Sequence, residues 1–221
     1  MPAPYLPRSS TRIKFCGLCR AADVEQAVAL GVDMIGLVFA PRSARRLEPA
    51  SAQALRGLIP GSIEVVALVM DNPAAEISAI IEAVHPDRLQ FHGQETDAFC
   101  AGFDVPFIKA IALGGIDASV GIETLAKAWP TAERLLFDGH GVGEMGGAGK
   151  AFDWTRLSGL VGKPFLLAGG LHPDNVARAI RTAHPWGVDV SSGIESAPGR
   201  KDVGRMRAFV EAVRVADLQG S

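Results

Sequence analysis

The sequence predicts a single-domain α/β fold, a (β/α)8 (TIM) barrel, on three observations. Short β-branched or continuously apolar runs alternate with longer amphipathic stretches along the whole chain, the pattern of βα units around a parallel sheet covered on both faces. Eight of each can be counted, the number that closes a barrel. The length of 221 residues lies in the roughly 200 to 250 that such a barrel occupies as one domain.

The expected strands are Arg12–Cys16, Asp33–Phe39, Glu64–Met70, Arg88–Phe91, Phe107–Ala112, Arg134–Asp138, Phe165–Ala168 and Val188–Ser191. Between and after them, helical periodicity runs over Ala21–Leu30, Ser51–Gly57, Ala74–Val84, Glu95–Ala101, Ile122–Ala128, Trp154–Leu160, Pro173–Ala183 and Val203–Val215. Pro49, Pro73 and Pro173 fall at segment edges, where they suit a first helical turn and interrupt no ladder. The opening MPAPYLPRSS is rich in Pro and Ser, so residues 1–11 are expected to be a flexible extension and residues 12–221 the barrel. An open, doubly wound sheet is the alternative arrangement, and it too places ligands beyond the strand C-termini.

With 48% hydrophobic and 21% charged residues, the chain has ample material for a core and no signature of disorder. A net charge of −2 offers no long-range basic field for nucleic acid or an anionic membrane, so an anionic ligand must be captured locally. Three cysteines are an odd number that fits a reducing, cytoplasmic setting better than a disulfide framework. Cys16 and Cys19 form a C-x-x-C without a second ligand pair, so no metal is expected. The N-terminus lacks the apolar core of a secretion signal, and no stretch approaches the roughly 18 apolar residues of a membrane span.

In a barrel the strand C-termini form the active face, which directs attention to the residues there. L-A-G-G-L-H-P-D-N (Leu167–Asn175) closes the seventh strand in a glycine pair, and D-V-S-S-G-I (Asp189–Ile194) closes the eighth in hydroxyls and glycine. Loops after strands seven and eight are where barrels frequently hold phosphate, through backbone N–H groups and a short helix N-terminus. A phosphorylated small molecule is the expected ligand. Gly170, Asp189, Ser192 and Gly193 are candidate binding residues.

Cys16 closes the first strand, where a thiolate at the mouth is a candidate general base, although a cysteine in an apolar strand is also a small hydrophobe. Asp138 ends the sixth strand after L-L-F and is a candidate general acid, or a turn aspartate. Arg45 in P-R-S-A-R-R suits a bidentate carboxylate clamp, but spacing does not choose among Arg42, Arg45 and Arg46. His92 in Q-F-H-G either lines the pocket or is satisfied by neighbouring backbone. The glycine-dense Met145–Trp154 reads as a mobile loop near the acid; it lacks the spacing of a nucleotide P-loop.

Read together and in order, K-F-C-G-L, G-L-V-F-A-P-R-S-A-R-R, Q-F-H-G, L-L-F-D, G-G-A-G-K-A-F-D-W, A-G-G-L-H-P-D-N-V and V-D-V-S-S-G-I-E-S-A-P-G-R-K-D resemble the phosphoribosylanthranilate isomerase family from Arg12 to about Val215. The resemblance implies a cofactor-free Amadori rearrangement in tryptophan biosynthesis, from N-(5-phosphoribosyl)anthranilate to 1-(2-carboxyphenylamino)-1-deoxyribulose 5-phosphate. It implies Asp138 as the acid that protonates the furanose oxygen and Cys16 as the base that takes the C2 proton. It further assigns Arg45 to the anthranilate carboxylate and Gly170, Ser192 and Gly193 to the phosphate. Cys19 stands where the family commonly has Thr, Gly139 where Thr or Ser is common, and Ala148 and Ala168 replace frequent serines. The competing readings are a catalytically silent phosphosugar-binding barrel and the related histidine-pathway isomerase, which pairs two aspartates where this chain has Cys16 and Asp138. A monomer or a homodimer is expected.

Overall fold

The computed structural model describes residues 10–114, 116–117, 119–141, 153–158 and 162–219. Eight parallel strands close into a barrel in sequence order: β1 Arg12–Cys16, β2 Met34–Val38, β3 Glu64–Val69, β4 Arg88–Phe91, β5 Phe107–Gly114, β6 Arg134–Gly141, β7 Phe165–Ala168 and β8 Gly187–Val190. Closure is made by β1 against β8, with Lys14 opposite Asp189. The helices are α1 Ala21–Ala29, α2 Pro49–Arg56, α3 Ala74–Val84, α4 Asp97–Ala101, α5 Ile122–Lys127, α6 Val176–Ala183 and α7 Val203–Gln219.

Two apolar layers follow from the alternation of strand side chains. The larger lies between sheet and helices and contains Phe15, Ile35, Phe91, Phe137 and Phe209. The smaller fills the barrel interior with Met34, Val66, Ile108, Leu136 and Leu166. Helix α6 shows the logic locally: Val176, Ala179, Ile180 and Ala183 recur at one face and are buried, while Arg178 and Arg181 lie outside that stripe. It stops at His184, whose left-handed φ of 47° lets its N–H reach the Ile180 carbonyl.

The end of the barrel opposite the strand C-termini is tied by charge. Arg134 donates to Glu64 at 2.8 Å and stacks over Trp186, and Arg88 bridges Glu64 and Glu133. Thr11 is fastened to Asp217 of α7 by its backbone N–H at 3.0 Å, which ties the start of the barrel to its last helix. The expected extension over 1–11 lies, apart from Ser10 and Thr11, outside the described residues, as does most of the loop 145–154.

The structure departs from several expected bounds, among them β6, which runs past Asp138 to Gly141, and three of the differences have a local cause or add an element. Of the expected helix Trp154–Leu160, the described residues 154–158 form a 3-10 turn, Trp154–Leu157, followed by an extended Ser158 whose hydroxyl donates to the Thr155 carbonyl at 2.7 Å, competing with helix propagation. The seventh helix begins at Val176 instead of Pro173, because Asn175 turns its side chain back to accept from His172 N at 2.9 Å and donate to the Gly170 carbonyl at 2.9 Å. After β8 a 3-10 turn (Ser192–Ile194) leads into an antiparallel hairpin, β9 Glu195–Ala197 and β10 Arg200–Lys201, which the strand count does not contain. Its Pro198-Gly199 turn uses the positive φ of Gly199, 75°.

Candidate active site

The C-terminal mouth of the barrel carries a pocket lined by Arg45, Asp138, Gly170, Asp189 and Ser192, with Gly169 and Leu171 beside them. Five of the eight sequence-derived site residues thus meet around one cavity. Cys16, His92 and Gly193 are not part of this lining: His92 faces Asp138 of it, Gly193 packs against Leu171 of it, and Cys16 lies beside Lys14, the partner of Asp189.

Cys16 ends β1 and is 5% exposed. Gly36 on β2 makes room for it, since a Cβ there would stand 2.8 Å from the Cys16 sulfur. Burial holds the thiol above its ordinary value, Asp189 adds to that shift, and the ammonium groups of Lys14 and Lys201 offset only part of it. Lys14, two residues earlier on the same side of β1, is fully buried, and its Nζ lies 2.9 Å from Asp189 Oδ1. Burial alone would depress this lysine, but Asp189 and Cys16 outweigh it and hold it above the usual lysine value.

Asp138 reaches the mouth from β6, and Nε2 of His92, the residue after β4, stands 3.5 Å from its Oδ2. The imidazole is in turn oriented by Gln90 Nε2, 3.3 Å from His92 Nδ1. The end of β7 presses against the carboxyl group. Gly169, at φ 87°, comes so close that a Cβ would collide with the Gly139 nitrogen and lie 2.7 Å from Asp138 Oδ1.

The loops after β7 and β8 interlock. A Cβ on Gly193 would run into the Leu171 carbonyl oxygen, so a glycine is required for the two loops to meet. Gly170 has a φ of 65° and is pinned by Asn175. Together they turn a glycine pair, a serine and a short helical turn toward the same wall of the pocket, an arrangement suited to an oxyanion.

Arg45 is the arginine of its loop that points inward. Its Nε and Nη2 donate to the two oxygens of Glu195 at 2.7 and 2.6 Å, whereas Arg46 pairs at the surface with Glu48 and Glu76 and Arg42 is exposed. The fork leaves Nη1 for a ligand. Glu195 also accepts from Lys201 Nζ at 2.9 Å, and this lysine donates to the backbone carbonyls of Cys16 at 2.7 Å and Ser191 at 3.0 Å. Burial would raise the Glu195 carboxyl, yet the Arg45 fork and the Lys201 ammonium hold it below the usual glutamate value.

Lys14, Glu195 and Lys201, which sequence reasoning did not single out, are therefore built into the site. A P-G turn between a buried acid and a buried base, E-S-A-P-G-R-K, was the available signal for the last two. Among the described residues no cluster of three or more His, Cys, Asp or Glu is arranged to hold a metal, and no helix is long and apolar enough to cross a membrane.

The chain matches the family model for N-(5'-phosphoribosyl)anthranilate (PRA) isomerase over residues 13–212. It is 52% identical over 207 residues to the N-(5'-phosphoribosyl)anthranilate isomerase of Stenotrophomonas maltophilia, covering 94% of each chain. The crystal structure of phosphoribosyl anthranilate isomerase from Thermus thermophilus superposes with a TM-score of 0.79 at 30% identity, over 93% of this chain and 99% of that one. A phosphoribosyl anthranilate isomerase in complex with reduced 1-(o-carboxyphenylamino)-1-deoxyribulose 5-phosphate superposes with a TM-score of 0.76 at 26% identity, over 93% and 99%. A closed parallel barrel, a pocket at its strand C-termini and these matches over nearly the full length lead to one conclusion: the chain belongs to the N-(5'-phosphoribosyl)anthranilate isomerase family.

Proposed function

We propose that this isomerase rearranges N-(5'-phosphoribosyl)anthranilate with Cys16 as general base and Asp138 as general acid. The observation that carries the reading is that Asp138 of β6 lines the cavity at the barrel mouth, whose far wall is made by the loops after β7 and β8, while Cys16 ends β1 beside Lys14, the partner of the lining Asp189. A sugar phosphate anchored at that wall by Gly170, Ser192 and Gly193 would span the mouth between acid and base.

Asp138 gives its proton to the furanose ring oxygen, and the C1–O bond breaks as the anthranilate nitrogen lone pair forms the iminium. The iminium makes the C2 hydrogen acidic. The Cys16 thiolate removes it, the electron pair moves toward nitrogen, and the resulting enolamine tautomerises to the aminoketose. Each group contributes roughly 10²- to 10⁴-fold when placed within proton-transfer reach. The free Nη1 of Arg45 is available to the anthranilate carboxylate, and Glu195 keeps the guanidinium plane turned for it. Asp189 lines the same cavity, and His92 faces the Asp138 carboxyl group. The free thiols of Cys16, Cys19 and Cys100 fit a cytoplasmic setting.

The test follows the fluorescence of phosphoribosylanthranilate, generated in situ, as purified protein consumes it. Loss at an enzymatic rate is expected. A folded protein that consumes none would return the reading to a silent phosphosugar-binding barrel.

A further inference from the structure

A cysteine in a closed barrel interior is a poor base unless something nearby stabilises its anion, because desolvation penalises the thiolate. The described structure supplies such a group. Lys14 is fully buried, follows the same inward side of β1 as Cys16, and lies opposite Asp189 across the β1–β8 seam. A Cβ on Gly36 would be 2.8 Å from the Cys16 sulfur and 3.1 Å from Lys14 Nζ, so both side chains close around the same point on β2. The ammonium thus stands beside the sulfur while it pairs with Asp189 Oδ1 at 2.9 Å.

Resting on the reading of Cys16 as base, we infer that Lys14 is a positioning residue whose ammonium favours the thiolate form of Cys16 against the cost of burial, and that Asp189 opposes it by drawing on the same ammonium. Lys14 is thereby more than a structural ion pair. With no solvent around it, its field on the sulfur is little screened. Without it, the thiolate and the Asp189 carboxylate would be neighbouring like charges in a dry space, an arrangement that keeps one of them protonated.

The other charged groups around Cys16 do not duplicate this role. Lys201 from β10 directs its Nζ to the Cys16 carbonyl oxygen, 2.7 Å away, and is shared with Glu195. Arg45, from the loop after β2, is forked onto Glu195. Asp138 lies across the mouth on β6, and the facing strand β2 presents Gly36 and the apolar Val38. Among these cations, Lys14 is the one whose ammonium closes with the Cys16 sulfur on the same point above Gly36.

The inference separates from a purely structural role by the sign of two substitutions. Lys14→Met removes the cation, whereas Asp189→Asn removes its competing anion and leaves the cation to the sulfur. The experiment is iodoacetamide alkylation of the native protein across a pH series, read at Cys16 by peptide mass spectrometry so that Cys19 is counted separately, with the pH profile of kcat/KM alongside. In Lys14→Met the Cys16 midpoint should move to higher pH, so that alkylation at a pH below the wild-type midpoint slows about tenfold, the effect of one strong charge contact. The acid limb of kcat/KM should move in the same direction. In Asp189→Asn the midpoint should move to lower pH.

An unmoved midpoint in folded Lys14→Met, or an alkaline shift in Asp189→Asn, overturns the inference. If Lys14→Met does not fold, the direction of the Asp189→Asn shift decides alone. Cys16→Ala keeps the two readings apart. Wild-type turnover in that variant removes the general base itself, whereas an inactive Cys16→Ala with a midpoint indifferent to Lys14 removes only the inference.

Discussion

Replacing Glu195 by glutamine keeps the shape of the side chain and removes one charge from the centre of the network that joins the loop after β2 to the hairpin beyond β8. The wild-type carboxylate is 6% exposed, takes both donors of the Arg45 fork, and accepts from a lysine whose side chain is fully buried. Breaking a buried pair by removing one partner costs about 3–5 kcal/mol, because the other partner is left charged and uncompensated. Glutamine retains one acceptor, which places the expected loss at the lower end, about 3 kcal/mol. At about 2–4 °C per kcal/mol for a chain of this size, the melting temperature should fall by about 6–12 °C.

The functional signature should accompany the thermal one. Arg45 loses its fixed plane, so KM should rise while kcat changes little, as expected for a contact made equally in ground and transition states. Far-UV circular dichroism melts and steady-state kinetics read both effects. Combining Glu195→Gln with Arg45→Ala should be non-additive by about 0.5–3 kcal/mol, since the two groups act through one contact. A melting temperature within about 1 °C of wild type, or strict additivity, would refute the reasoning.

Three further outcomes are expected. The Glu195 carboxyl is held below its ordinary value of 4.5, so its contribution is complete above that value and is lost as pH falls through the depressed native one; melts in that acid window should drop less steeply for Glu195→Gln than for wild type. Gly169→Ala forces a left-handed residue and a collision beside Asp138; a loss of about 1–3 kcal/mol in thermal stability and about 100-fold in kcat is expected, and wild-type kcat would detach this close approach from catalysis. Cys100 is buried and its thiol is pushed up to about 12, chiefly by burial. It should resist alkylation near neutral pH until the protein is unfolded, and ready labelling of the native protein would contradict its placement.

Much of this architecture was legible along the chain because the parallel strands, covered on both sides, leave continuous apolar runs. Arg12–Cys16, Arg88–Phe91 and Phe165–Ala168 match the observed strands from end to end. The glycine pair and the S-S-G run could be read as one cradle because the barrel brings its seventh and eighth loops together. The charges were harder to read. Lys14 inside R-I-K-F-C looks like the polar half of an alternating strand, and its partner Asp189 lies 175 residues away, joined to it only when the barrel closes. The choice among Arg42, Arg45 and Arg46 likewise depends on Glu195, 150 residues beyond Arg45, and on a hairpin whose two strands are too short to show a period. The 3-10 turn that the described residues 154–157 adopt goes with a serine hydroxyl bonded to the Thr155 carbonyl, a local competition that periodicity does not register.

The most direct test of the account is the turnover of Cys16→Ala and Asp138→Asn at saturating phosphoribosylanthranilate, with circular dichroism verifying the fold. Each should lose about 10²- to 10⁴-fold in kcat, because each removes one proton-transfer group from a different step. Near-wild-type kcat in either folded variant would contradict the assignment of base or acid to the residue replaced.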